Sequence, residues 1–174
     1  MQILSGNVLS KSISKQQKFH RASRTFQCCE RDGAEIPAGL SVENALIKHI
    51  LTHKAPLPRG HYAQATKANG FVFVSGQLPL TTDTQLTLPE GLEAQVHQAL
   101  TNMREVLLAA GTDVGSLVSV QIYVSNIDNW PRVNELYREF IGEPAPARTV
   151  VPCGELHYGA LVEISAIAIC SDVS

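Results

Sequence analysis

The chain has 174 residues, of which 44% are hydrophobic and 17% are charged, and its formal net charge is −2. This composition is typical of one globular domain, and no apolar run approaches the roughly 18 residues that a membrane-spanning helix needs. From Glu30 onward sixteen acidic residues stand against nine Lys or Arg, a net charge of −7. Because an acidic body repels phosphate backbones, we expect neither nucleic acid nor a membrane as a partner.

Residues 1–45 differ in composition from the rest of the chain. They are rich in Ser, Lys, Arg and Gln, show no sustained apolar period, and carry no acidic residue before Glu30. This predicts a poorly ordered extension that precedes a folded domain at residues 46–172. A basic, serine-rich start also fits an organelle transit peptide, for example a mitochondrial one, and a plain solvated tail is the alternative. We therefore expect a cytoplasmic protein, or an organellar one if the extension is a targeting segment.

Three strands and a helix are predicted in the first half of the domain. The strands are expected at residues 46–52, 61–68 and 71–80. Asn69-Gly70, between the second and third strands, is a strong signal for a two-residue hairpin turn. Apolar residues then recur at spacings of four and three through residues 90–110, which predicts an amphipathic helix. Gly111 follows where a helix-ending residue in the left-handed conformation is expected.

The second half adds one helix and three strands. Residues 117–124 alternate as a strand does, and the residues expected on its buried face are Val118, Val120, Ile122 and Val124. Residues 127–142 predict a second helix, which Asp128 or Asn129 could cap and in which Pro131 suits the first turn. A short strand at 147–152 and a long strand at 160–170 complete the chain.

The order β-β-β-α-β-α-β-β predicts an α+β fold with both helices on one face of a mixed sheet. The strands are apolar enough to be buried on both sides, so the second sheet face also needs a cover. We therefore expect an oligomer.

Two charged residues stand in places where charge is costly. Glu163 interrupts an otherwise apolar or small stretch, beside Leu161, Ser165 and Ile167 by alternation, and a carboxylate there must be paired, exposed to a cavity, or used. Arg148 begins a strand after a stiff Pro-rich approach, where a guanidinium suits two-pronged capture of a carboxylate. The structural alternative is that Glu163 is a solvated edge residue and Arg148 is simply its salt-bridge partner.

Four segments taken in order resemble the Rid (YjgF-type) family. They are GHYAQATKANGFVFVSGQLPL, VLLAAG, VSVQIYVSNIDNWPRVNELYREFIGEPAPART and GALVEISAIA, and the resemblance covers about residues 47–170. It implies a chorismate-mutase-like α+β fold that assembles as a homotrimer, with the sheets forming a central β-barrel and the helices outside. It also implies active sites in the clefts between neighbouring subunits.

The resemblance also implies which residues carry the chemistry. The family's carboxylate-binding arginine matches Arg148, and its water-activating glutamate matches Glu163. The tyrosine, serine and glycine that line the family's cleft match Tyr62, Ser75 and Gly76. The family often has a cysteine two residues after the arginine, where this chain has Val150, whose backbone could still contact a ligand. His157 and Tyr158 replace a Pro-Lys pair in a loop near the cleft, which bears on substrate preference.

The expected function is that of a hydrolase acting on C=N bonds. It would convert reactive 2-imino or enamine acids, such as 2-aminoacrylate and 2-iminopropanoate, into 2-keto acids and ammonia, as a form of metabolite-damage control. The alternatives are a pathway-specific deaminase of the aminomuconate or aminoacrylate type, a non-catalytic trimer that binds small carboxylates, and a ribonuclease. The four cysteines are expected to be free thiols without metal-ligand spacing. His49 and His53 are four residues apart, but in the predicted strand they would not share a helical face, so we expect no metal and no organic cofactor.

Overall fold

The computed structural model describes residues 47–83, 85 and 87–170. The predicted extension and transit peptide at 1–45 lie outside these residues. Within them, six strands and two helices follow one another in the predicted order. The strands are β1 Lys48–Ile50, β2 Ala65–Ala68, β3 Phe71–Gln77, β4 Leu117–Val124, β5 Ala147–Pro152 and β6 Val162–Ile169, and the helices are α1 Leu92–Ala109 and α2 Trp130–Ile141.

All six strands form one sheet in the order β1-β2-β3-β6-β4-β5. The β4–β5 pair is parallel because α2 carries the chain back between them, and the other neighbours are antiparallel. The sheet is therefore mixed, as predicted. Its order leaves β5 at one edge and places β4 between β5 and β6.

The turn between β2 and β3 confirms the hairpin prediction. Ala68 pairs with Phe71, and the two residues between them have positive φ angles of 49° at Asn69 and 76° at Gly70. A two-residue turn with both central residues at positive φ matches the twist of the strands that it joins. The turn fixes the register of β3, which carries two of the predicted site residues.

Both helices lie on one face of the sheet, and the core is formed between them. Apolar residues of α1 and α2 join the inward residues of the strands in one buried cluster. Its largest fully buried side chains include Leu100, Met103, Leu107, Ile122 and Ile164. The α+β prediction is thus confirmed. No helix in the described part of the chain is long and apolar enough to cross a membrane.

Residues at the ends of the helices and strands test what was predicted from local sequence patterns. Gly111 has a φ of 87° directly after α1, as predicted, and Pro131 lies in the first turn of α2. Asn129 is the cap residue of α2, but its side chain makes no capping hydrogen bond. Val118 was expected on the buried face of β4 and is 39% exposed. That expectation is wrong because a bulge against β6 inserts Val118 as an extra residue and turns it outward.

The second face of the sheet carries no helix. Phe71, Phe73 and Ile169 are 41%, 45% and 50% exposed on it, and Ser165 and Ile167 of β6 are half-buried. Strict alternation along β3 and β6 therefore leaves an apolar surface open to solvent in the single chain. We call this surface, comprising Phe71, Phe73, Ile167 and Ile169, the open sheet face.

Candidate functional site

A cavity of about 470 Å³ opens beside the strands β3 and β6. Its size falls within the range of about 300–1,000 Å³ that is usual for small-molecule sites. It is lined by Arg59, Gly60, Tyr62, Ser75, Gly76, Leu78, His157, Tyr158 and Glu163. The structure thus brings together four of the six residues that the sequence proposed for the site, from three separate segments of chain.

A bulge in β3 shapes the floor of the cavity. Val74 pairs with Ala166 and Gln77 pairs with Ile164, so β3 has one residue more than β6 in this interval. Ser75 and Gly76 lie in that interval, where a bulge bends the strand and redirects its side chains. A side chain at Gly76 would overlap the Glu163 carboxylate. Gly76 is therefore the residue that lets this carboxylate lie against the backbone of β3.

Glu163 projects from β6 on the face away from the helices. It is half-buried, and within the described part of the chain its carboxylate has neither an ion pair nor a hydrogen bond. An unpaired, partly buried carboxylate in a cavity is free to accept a proton from water or to hold a water molecule. Within the described residues of one chain, Glu163 is not the salt-bridge partner of Arg148.

Ser75 and Tyr62 line the cavity in different ways. The Ser75 hydroxyl donates a 2.7 Å hydrogen bond to the Ala63 carbonyl, and its backbone N–H donates to the Gln64 carbonyl. This hydroxyl therefore ties β3 to the preceding loop. Tyr62 is 53% exposed, and no hydrogen bond engages its hydroxyl among the described residues, so the phenol is available to a ligand.

The loop between β5 and β6 forms another wall of the cavity. His157 and Tyr158 both line it, and Tyr158 has a positive φ of 64°. A bulky residue in the left-handed conformation is costly and is held only where the surrounding chain imposes it. These are two of the three residues at which the sequence departs from the pattern of the family that it resembles, and the structure places both at the cavity. His61, by contrast, is exposed and does not line it.

Arg148 lies on the other side of the sheet. It pairs with the buried Val120, donates from Nη2 to the Asn134 Oδ1 at 2.7 Å, and its guanidinium lies 4.7 Å from the ring centroid of Tyr137. Val150, two residues on, packs against the core on the same face. The family resemblance implies that Arg148 and Glu163 act together in a cleft between subunits. Within one chain they do not converge, because β4 separates their strands and their side chains lie on opposite faces.

Tyr137 forms the support for the Arg148 guanidinium. Its ring is buried, and its hydroxyl has no hydrogen-bond partner among the described residues. Burial raises the pKa of the Tyr137 phenol, and the nearby Arg148 cation lowers it in part. The phenol therefore stays neutral at physiological pH, and its ring presents an attractive face to the cation. This contact and the Asn134 bond hold the guanidinium at the sheet edge.

Arg59 is the cavity residue that sequence reasoning missed. It lies within the Pro-punctuated connection KAPLPRG, residues 54–60, which was interpreted only as a link between strands. The signal that could have found it is a cation at the end of a stiff loop, three residues before the predicted site residue Tyr62. Among the described residues, no three His, Cys, Asp or Glu side chains are grouped so as to hold a metal ion.

A six-stranded mixed sheet backed by two helices, with a cavity at a bulged strand, defines an α+β protein with the fold of the YjgF/L-PSP structures. Residues 52–170 match the family model described as Endoribonuclease L-PSP. The chain belongs to this family, which is the Rid (YjgF-type) family.

Two curated relatives and one solved structure are consistent with membership of this family. The chain is 39% identical to Reactive Intermediate Deaminase A, chloroplastic, of Arabidopsis thaliana, over 75% of this chain and 71% of the relative. It is 35% identical to a 2-iminobutanoate/2-iminopropanoate deaminase of Dermatophagoides farinae, over 69% and 94%. The crystal structure of E. coli TdcF with bound serine aligns with a TM-score of 0.68 and 31% identity, covering 71% of this chain and 99% of that chain.

Proposed function

We propose that the protein hydrolyses reactive 2-imino and enamine carboxylic acids to 2-keto acids and ammonia. The observation that carries the proposal is the unpaired Glu163 carboxylate, which lies over Gly76 in the wall of a small-molecule cavity. One relative is named as a 2-iminobutanoate/2-iminopropanoate deaminase and another as a reactive intermediate deaminase. A third protein of the same fold was solved with serine, a small amino acid, bound to it.

The chemistry requires one water molecule and one proton carrier. A protonated imine is attacked by water at carbon while Glu163 accepts the water proton, which forms a carbinolamine. Protonated Glu163 then donates to the amine nitrogen, the C–N bond breaks, and the carbinolamine hydroxyl passes its proton to the departing ammonia as the C=O bond of the 2-keto acid forms. Starting from the protonated imine, the net change is one water consumed and one ammonium released, without oxidation or reduction. Since free imines already hydrolyse slowly in water, positioning supplies much of the acceleration.

The substrate carboxylate would be held by Arg148 of a neighbouring subunit. Arg148 lies on β5, an edge strand, where its side chain can reach beyond its own chain. The open sheet face is large and apolar, which is typical of a surface buried in an assembly. We propose a homotrimer in which the three open faces form a central β-barrel. Each cavity would then receive the Arg148 guanidinium from the next protomer.

The proposal is tested with imines generated in the assay by a flavin-dependent amino acid oxidase. Removal of the imine by the wild-type protein is compared with the spontaneous rate by competition with semicarbazide, which traps the imine. Arg148→Ala and Glu163→Gln should each lower kcat/KM at least tenfold, because a charged contact is worth about 1.5–3 kcal/mol. Arg104→Ala, which removes an exposed arginine of α1 paired only with Asp113 at the surface, should keep wild-type activity.

A wild-type protein that binds 2-ketobutanoate but adds nothing to the spontaneous rate would overturn the enzymatic proposal. It would support the second candidate, a trimer that binds small carboxylates without turnover, which the serine bound to TdcF favours. RNA cleavage is not proposed, although the family description contains that activity. From Glu30 onward the chain has a net charge of −7, which repels a phosphate backbone.

A further inference from the structure

We infer that Arg59 is a second anion-binding residue of the cavity and that the preferred substrate is a 2-imino acid with a second carboxylate. This inference rests on the proposed imine hydrolysis and specifies its substrate class. Its basis is the set of charged residues that line the cavity within one chain. Arg59 and Glu163 share the lining, whereas Arg148 is on the other side of the sheet.

Arg59 lies between the Glu163 cavity and a second cavity, into which a longer substrate would extend. It lines the cavity that contains Glu163 and also a second cavity of about 350 Å³, which His53, Pro58 and Thr82 border. The Asp83 carboxylate borders the second cavity too, but it accepts hydrogen bonds from the hydroxyls of Thr81 and Thr87. Arg59 has no ion pair among the described residues. Its guanidinium is therefore available to a ligand.

The loop that carries Arg59 is held in place. Gln64 is only 1% exposed, and its side-chain amide donates to the carbonyls of Thr52, Ala55 and Pro56, while its side-chain carbonyl accepts from the Thr52 N–H. Two prolines in KAPLPRG restrict the backbone further. A cation at the end of an anchored loop loses less conformational freedom when it binds, which favours recognition over chance contact.

The charges of the site favour a dicarboxylate. In the proposed trimer the cavity would hold Arg59, Glu163 and the Arg148 of a neighbour, and the charges of these three side chains sum to one positive charge. A protonated imine with one carboxylate has no net charge, whereas one with two carboxylates carries −1 and balances the site. A single guanidinium suits a carboxylate, since a phosphate group usually requires several converging donors.

The experiment compares two imines that differ in the second carboxylate. 2-Iminobutanoate and 2-iminoglutarate are generated in the assay by flavin oxidases from D-2-aminobutanoate and D-glutamate, and kcat/KM is measured for each. For Arg59→Gln, the ratio of kcat/KM for the diacid to that for the monoacid should fall about tenfold or more. Arg59→Lys should recover part of this ratio, because it keeps the charge and loses the two-pronged geometry.

Lys54→Gln is the matched control, since it removes one positive charge from the same loop at a residue that does not line the cavity. It should keep the wild-type ratio. If Arg59→Gln lowers both substrates equally, or leaves the ratio unchanged, the inference is overturned while the proposed hydrolysis stands. If the wild-type protein hydrolyses neither imine, the proposed function itself has failed. Thermal unfolding of each variant confirms that the exposed substitutions leave the fold intact.

Discussion

At the scale of single residues, the proposed chemistry depends on one pair, Gly76 and Glu163. A carboxylate inside an apolar strand is tolerated only where something offsets its cost. Here the carboxylate borders a cavity, in which it fits because β3 bulges and because Gly76 has no side chain. The glycine is required for space and not for an unusual backbone conformation, since its φ is not positive.

Gly76→Ala is therefore expected to affect activity more than stability. The new methyl group would overlap the Glu163 carboxylate, which is the end of a flexible side chain and can turn aside. We expect kcat/KM for 2-iminobutanoate to fall at least tenfold, as for Glu163→Gln, with a change in unfolding free energy below about 1.5 kcal/mol. Imine hydrolysis and denaturant unfolding measure the two effects. A variant with wild-type kcat/KM would show that the position of this carboxylate does not matter.

At the scale of elements, the loop between β1 and β2 forms one wall of the cavity although it contains neither helix nor strand. Its backbone groups cannot all pair within a strand or helix, yet several of them are shielded from water. One buried side chain, Gln64, forms hydrogen bonds with four of these groups. Its amide nitrogen donates to three carbonyls, and its amide oxygen accepts from one N–H. Tyr62 and Arg59, which line the cavity, lie two and five residues before it.

Gln64→Leu should loosen this wall. Leucine has a similar volume but cannot bond, so the Thr52 N–H and the carbonyls of Ala55 and Pro56 lose their partners. We expect destabilisation of about 2–4 kcal/mol and faster amide exchange at residues 52–62. The control is Gln98→Leu in α1, whose side chain makes one hydrogen bond to Asn102 and should cost no more than about 1 kcal/mol. Equal losses for the two variants would contradict the anchoring role of Gln64.

The whole molecule, taken as a single chain, holds only part of the proposed site. The cavity with Glu163 is on the face of the sheet without helices, and Arg148 is held by Asn134 and Tyr137 on the other face. The open sheet face also presents two phenylalanines and an isoleucine to solvent. Both features are explained if neighbouring protomers cover the face and supply the missing guanidinium.

Mixed trimers test this arrangement directly. Trimers made only of Arg148→Ala subunits or only of Glu163→Gln subunits are each expected to keep at most about a tenth of the wild-type activity. In a mixed trimer, some clefts receive an intact Arg148 from one protomer and an intact Glu163 from the other. Random assembly of equal amounts in a three-fold ring would make about a quarter of all clefts intact. Coexpression of the two variants should thus restore about a quarter of the wild-type imine hydrolysis.

The control for the mixed trimers is the coexpression of Glu163→Gln subunits with Gly76→Ala subunits. Both substitutions damage the same half of the cleft, so no arrangement of these subunits yields an intact site and no activity should return. Recovery in the first mixture without recovery in the second supports a shared site. Failure of the first mixture in a protein that sedimentation shows to be a mixed trimer would mean that the two residues do not act in one cleft.

Local patterns predicted nearly all of the secondary structure. The order of strands and helices along the chain, the Asn69-Gly70 turn and the positive φ of Gly111 after α1 follow from periodicity and from the backbone preferences of single residues. Val118 was wrongly placed because a bulge depends on the partner strand, which is distant in sequence. Arg59 was overlooked for a related reason, since its position in a cavity depends on how the loop folds back over β3.

The sequence by itself determined the family, the α+β class and the presence of a buried-strand carboxylate at Glu163, because these rest on residue order and on alternation along one strand. Only the tertiary structure decided that Tyr62, Ser75, Gly76 and Glu163 meet in one cavity. It alone also showed that Arg148 lies on the opposite face of the sheet. The reason is geometric: alternation assigns a residue to a face of its own strand, whereas pairing between distant strands decides which residues share that face.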